Sequence, residues 1–119
     1  MPIDIFDYQD VLVLRFPAEV ASREISTKLG AECGDAMSFF EPAGVVVDLT
    51  RTTINRLLFV AVFFLTSLSR KWGCRLAFAG KKNEMETLLG SFQMLNYTVG
   101  CFDTVQEAID VLRLPPTAA

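Results

Sequence analysis

The sequence predicts an α/β domain, a mixed and mostly parallel five-stranded sheet with about four helices in the order β-β-α-β-α-β-α-β-α. Three observations predict it. Short runs rich in β-branched residues alternate with stretches of helical periodicity, the pattern of strands joined by crossover helices. The run "VVVDL", Val45 to Leu49, lacks polar alternation, as a strand covered on both faces requires. The chain also opens with two β-rich runs separated by a polar turn, which adds an antiparallel hairpin. At 119 residues the whole fits one core, a domain over 1–114 with a short tail over 115–119.

The elements follow in order. "PIDIF" and "VLVLRF" are the hairpin strands, and "DYQD", Asp7 to Asp10, is their turn. After Pro17, apolar residues at Val20, Ile25, Leu29, Cys33, Met37 and Phe40 fall mostly four apart and mark one stripe of a helix, which Gly30 and Gly34 weaken. "EPAG" is a turn into the central strand. "TRTTIN" is a loop, and Leu57 to Trp72 a second helix with Arg70 and Lys71 at its negative end and Gly73 beyond it. "RLAFA" is the next strand. "GKKN" leads into a third helix with Asn83 as its cap, Glu84 and Glu86 in its first turn, Met85, Leu88, Leu89 and Phe92 as its stripe, and an end near Leu95. "YTVGCF" is the last strand. Thr104 and Glu107 form a capping box for "VQEAIDVLRL", which Pro115 and Pro116 end.

Composition narrows the function. Eleven basic against fourteen acidic residues give a net charge of -3, so no general field draws the chain onto nucleic acid or anionic lipid. Histidine is absent, which removes the commonest general base and the commonest metal ligand. Cys33, Cys74 and Cys101 are far apart, with no partner at metal-ligand spacing, and read as small apolar residues in a reducing compartment. "MPIDIFDYQD" has acids where a signal peptide needs a basic start, and the apolar run Leu57 to Leu65 is shorter than the roughly 20 residues that span a bilayer. A cytoplasmic protein that does not insert into membranes is expected, with no cofactor and no metal.

The segments "VVVDLTRTTINRLLFVAV", "SRKWGCRLAFAG" and "MLNYTVGCFDTVQEAID", in this order and at this spacing, resemble the STAS domains of sulfate transporters and bacterial anti-sigma factor antagonists. The resemblance covers nearly the whole chain. It implies a STAS-like fold, a non-catalytic role in regulatory signalling, and a protein partner such as an anti-sigma factor with kinase activity or another regulator. Regulatory members carry Asp-Ser-Ser-Gly or Asp-Ser-Thr-Gly at the turn before the second helix and are phosphorylated there. Aligned without gaps, those positions are Asn55, Arg56, Leu57 and Leu58, none of which takes a phosphate at its side chain. The resemblance therefore carries over the scaffold and the docking surface but not the switch.

Asn55 can cap the second helix, while Arg56 is unfavourable at its positive end by a few tenths to about 1 kcal/mol. Arg56 reads first as a solvated side chain and second, with Arg51 nearby, as a contact to an acidic group on a partner. Thr50, Thr52 and Thr53 read first as loop and strand-end residues and only second as displaced phosphoacceptors. Within the second helix, Leu57, Ala61, Phe64, Leu65, Leu68 and Trp72 form one stripe, whereas the family alignment turns Phe59, Val62, Phe63 and Thr66 inward. Two stripes on one sheet conflict, which leaves two readings open: neighbouring helices of the same chain cover both sides of this helix, or part of it is a protein interface. On the second reading the partner surface comprises Arg51, Asn55, Arg56, Leu57, Leu58, Ala61, Phe64, Leu65 and Leu68, with a second copy of the chain as one candidate partner. The alternative is a small-ligand or nucleotide-binding domain, against which "AGKKN" has a single glycine and no phosphate-loop pattern. An enzyme ranks below both, since no base stands beside Cys74 or Cys101 in the sequence pattern.

Overall fold

The computed structural model describes residues 3–8 and 10–114. Ten elements follow in the chain: β1 (Asp4–Tyr8), β2 (Val11–Arg15), α1 (Arg23–Phe40), β3 (Gly44–Asp48), α2 (Arg56–Trp72), β4 (Arg75–Ala79), α3 (Lys82–Ser91), a 3-10 turn (Leu95–Tyr97), β5 (Gly100–Phe102) and α4 (Val105–Arg113). The α/β class and the element order agree with the sequence. β1 pairs antiparallel with β2, and β2, β3, β4 and β5 run parallel, with Val13 opposite Val46 and Val46 opposite Ala77.

The sheet order is β1-β2-β3-β4-β5, the same as the chain order. Since parallel crossovers are right-handed, successive helices laid in one direction along a sheet all fall on the same side. Thus α1, α2 and α3 share one face, where Leu12, Leu14, Val45, Val47, Leu76 and Phe78 enter the larger core. Val11, Val13, Val46, Ala77 and Ala79 point the other way, and α4 covers them with Ala108, Ile109 and Leu112. Val45, Val46 and Val47 are all fully buried, which is why β3 shows no alternation.

The two glycines of α1 have a packing role that propensity alone obscures. A Cβ on Gly30 would stand 2.9 Å from Phe64 Cδ1, and one on Gly34 3.2 Å from Leu68 Cδ1. They let α1 and α2 approach closely, in return for the helix propensity lost. Val20, taken as part of the first stripe, lies before α1 and is buried from the loop.

Several boundaries differ from expectation. β1 extends to Tyr8, while Pro2 and Gln9 lie outside the described residues, as do Pro115, Pro116 and the rest of the tail. α3 starts at Lys82 after Lys81 in the left-handed region at φ 52°, so Asn83 sits in the first turn rather than at the cap. It ends at Ser91, short of Leu95, because Gln93 is left-handed at φ 56° and Met94 N donates to Leu89 O, with Gln93 N donating to Gly90 O. That is a Schellman stop closed by the buried pair Leu89 and Met94, with glutamine where glycine usually signals it. The capping box on α4 is present, Thr104 Oγ1 accepting from Glu107 N at 3.1 Å. At the other end of α4, Arg75 donates to the Leu112 and Leu114 carbonyls, each at 3.1 Å.

Candidate protein interface at the second helix

Asp48 ends β3 and is only 3% exposed. One carboxylate oxygen accepts from Thr50 N at 2.9 Å and Thr50 Oγ1 at 2.6 Å, and the other faces Arg15 Nε at 3.3 Å. Arg15 in turn lies over the Phe6 ring, 4.7 Å from its centroid. A buried carboxylate is tolerated only when paired and hydrogen-bonded, and these three donors meet that need while bending the chain out of the sheet.

The loop that follows is tied at several points. Leu49 N donates to Ala79 O at 2.8 Å, and Thr53 N donates to Ala18 O at 2.8 Å. Asn55 closes it: its Oδ1 accepts from Leu58 N at 2.9 Å and its Nδ2 donates to Val20 O at 3.1 Å. One side chain thus caps α2 and joins it to the loop before α1. Asn55→Ala is expected to cost about 1–2 kcal/mol in urea unfolding, the value of a cap together with one further hydrogen bond. Asn55→Asp, which keeps the cap and loses only the donor, should recover part of that.

α2 divides more sharply than its sequence suggests. Leu58, Phe59, Ala61, Val62, Leu65, Thr66 and Ser69 are buried, so residues from both expected stripes point inward together. The conflict between the two stripes is resolved because the buried arc is wide, with the sheet beneath α2, α1 on one side and Phe92 on the other. Phe59 packs on Phe92 and Phe63 at ring-centroid distances of 4.4 Å each. Leu58, Ala61 and Leu65, expected at a partner surface, therefore belong to the chain's own core, and Leu57 and Leu68 are half-buried at its rim. Of that set, Arg51, Arg56 and Phe64 are exposed and Asn55 is half-buried. Phe63, which the family alignment alone turned inward, faces out beside Val60 and Phe64. An apolar groove of about 210 Å³ lies along Gly30, Ala31, Val60 and Phe64 between α1 and α2.

The hydroxyls of the loop differ in access. The Thr50 hydroxyl is committed to Asp48, Thr52 is buried, and Thr53 is exposed. The cysteines lack the environment of a nucleophile. Burial pushes the Cys74 thiol up to about 11, and burial together with the Glu86 carboxylate, partly offset by Lys82, pushes Cys101 up to about 11. Burial, with Glu32 adding to it, raises Cys33 further still. A reactive thiol needs the opposite shift. At pH 8 the thiolate fraction of Cys74 is then about one in a thousand, and native protein should react with Ellman's reagent more than tenfold slower than the unfolded chain.

Comparison of the whole structure with solved ones places this geometry. A Moorella thermoacetica RsbS variant superposes with a TM-score of 0.75 at 15% identity, over 95% of this chain and 96% of that one. Phosphorylated SpoIIAA, a Bacillus cell fate determinant, gives 0.71 at 13% identity over 93% and 99%. An anti-sigma-factor antagonist (STAS) domain protein from Planctomyces limnophilus gives 0.67 at 18% identity over 94% and 98%. The chain has the STAS fold. No protein-family model matches the sequence, and no curated protein does.

In this STAS fold, the loop between β3 and α2 is bonded to Ala79 at the end of β4 and to Ala18 and Val20 after β2. Among the described residues, no helix is long and apolar enough to cross a membrane. Sequence reasoning missed Asp48 as the anchor of the turn and Gly80 as its neighbour. The signal for Asp48 was an acid closing an apolar strand two residues before a threonine, the pattern of an Asx turn.

Proposed function

We propose that this chain is a non-catalytic STAS-fold interaction domain in regulatory signalling, acting in the cytoplasm and binding a protein partner through the exposed face of α2 and the loop before it. The observation that carries the reading is the start of α2. Asn55 caps it, Arg56 follows, and Val60, Phe63 and Phe64 project outward one to two turns on. In the regulatory proteins that the sequence resembles, this turn bears the phosphorylated hydroxyl. Here the side chains from Asn55 to Leu58 offer none, so the domain is read as not switched by phosphorylation at that place. Three free thiols fit a reducing compartment.

The test combines two measurements on protein purified from its native host. Mass spectrometry should find the tryptic peptides covering 52–70 unmodified, and Phe64→Asp should retain native circular dichroism while losing the partner that wild type retains. Phosphate on Thr53 that abolished partner capture would overturn the unswitched reading. A melting temperature raised by ATP or GTP, with no partner dependence on Phe64, would favour the small-ligand alternative instead.

A further inference from the structure

Between Leu49 and Asn83 the chain contains no acidic residue, although acids outnumber bases overall. The same stretch holds Arg51, Arg56, Arg70, Lys71, Arg75, Lys81 and Lys82. Of these, Arg75 is half-buried and occupied with the end of α4, and the other six are exposed. Among the described residues, the ion pairs engage Arg15, Lys28 and Arg113 and none of the six. Arg56 stands at a positive helix end, where a lone cation is disfavoured.

On α2 these charges share one stripe with the exposed apolar residues. Arg56, Val60, Phe63, Phe64, Ser67, Arg70 and Lys71 recur at helical spacing, and all seven are exposed. The face thus has a cation at its start, aromatic and branched side chains in the middle, and two cations at its end. Arg70 rests on the Tyr97 ring, 4.1 Å from the centroid, which holds that end in place. From Arg56 to Arg70 the helix rises about 21 Å.

Resting on the docking face proposed above, we infer that its partner is an amphipathic helix whose apolar anchors are flanked at both ends by acidic residues, spaced to meet Arg56 on one side and Arg70 and Lys71 on the other. A second copy of this chain is the wrong occupant. Two α2 helices packed about a two-fold axis place Arg56 against Arg56 or against Arg70 and Lys71, cation on cation in either direction, with no acid on this face to offset them. An anionic bilayer is the poorer match as well, because the apolar centre is three side chains with a groove beside them, and the chain as a whole repels anionic lipid.

The experiment uses the full chain and two labelled 18-residue helical peptides of identical apolar stripe, one with glutamates at both ends and one with lysines, measured by fluorescence anisotropy. The glutamate peptide is expected to bind at least about tenfold tighter, with an affinity that falls as salt rises. Arg56→Glu/Arg70→Glu/Lys71→Glu should reverse the preference, and Phe64→Asp should abolish binding of both. Equal affinity for both peptides, each sensitive to Phe64→Asp, would overturn the charge inference and leave the docking face standing. Binding indifferent to Phe64→Asp would overturn the docking face itself, as would failure of both peptides to bind. A dimer in sedimentation equilibrium lost in the charge-reversed variant would overturn the choice of partner in favour of self-association, and co-sedimentation with phosphatidylserine vesicles that is lost in the same variant would overturn it in favour of a membrane.

Discussion

Gly80→Val is expected to destabilise the domain by about 3 kcal/mol or more, among the largest losses available to a single exchange. Gly80 has φ 87°, and a Cβ there would lie 2.6 Å from Thr50 Cα and 2.7 Å from Thr50 N. Both obstacles are backbone, and that backbone is held by Asp48 and by the bond from Leu49 N to Ala79 O, so it has little room to yield. The Gly80 amide also donates to Phe102 O at 2.8 Å, which ties β5 to the same spot. For a chain of this size the melting temperature should fall by about 10 °C or more. Gly30→Ala is the control: its nearest obstacle is the Phe64 ring, a half-exposed side chain that can turn aside, and Gly90, with open space around it, should tolerate alanine freely. Circular dichroism melts of the three variants measure the difference. If Gly80→Val melted with Gly30→Ala, the close approach of the two loops would be wrong.

The second large effect separates neighbours in sequence. Leu65 is 0% exposed and Phe64 is 46% exposed. Leu65→Ala removes side-chain volume from the packed space between the sheet and α1 and should cost about 2–5 kcal/mol, depending on how far the surroundings collapse. Phe64→Asp should change stability by about 1 kcal/mol or less, since the new carboxylate stays hydrated. Chemical denaturation should therefore show a large fall in midpoint for the first and a small one for the second, while partner binding, proposed to use Phe64, responds in the opposite order. Equal midpoints would mean that α2 is rotated about its axis relative to the arrangement described.

How far the fold could be read in advance depended on which physical signal each residue carried. Val45 to Val47 announced a strand covered on both faces, Gly73 announced the end of α2, and Thr104 with Glu107 announced the start of α4, because in each case local chemistry and tertiary setting demand the same residue type. Where a setting was met by an unusual residue the signal failed. Gln93 and Lys81 occupy left-handed positions without glycine or asparagine, so both ends of α3 were misplaced. The site was only half legible for a different reason. Periodicity reports that α2 is apolar nearly all round, but which part of the circumference is enclosed depends on α1 settling against Gly30 and Gly34 and on Phe92 arriving from the end of α3, contacts between segments far apart in sequence. Arg56 and Phe64 fell on the outer arc as expected, and Leu58, Ala61 and Leu65 did not.

The coincidence of strand order with chain order also bears on synthesis. Each of β2, β3, β4 and β5 finds its neighbour already in place as it leaves the ribosome, so the growing sheet extends by addition at one margin and never has to open to admit a later strand. The exception is the side roofed by α4. Until Val105–Arg113 has emerged, Val11, Val13, Val46, Ala77 and Ala79 form a bare hydrophobic floor on an otherwise assembled nascent chain, and this is the interval in which a chaperone would have something to hold.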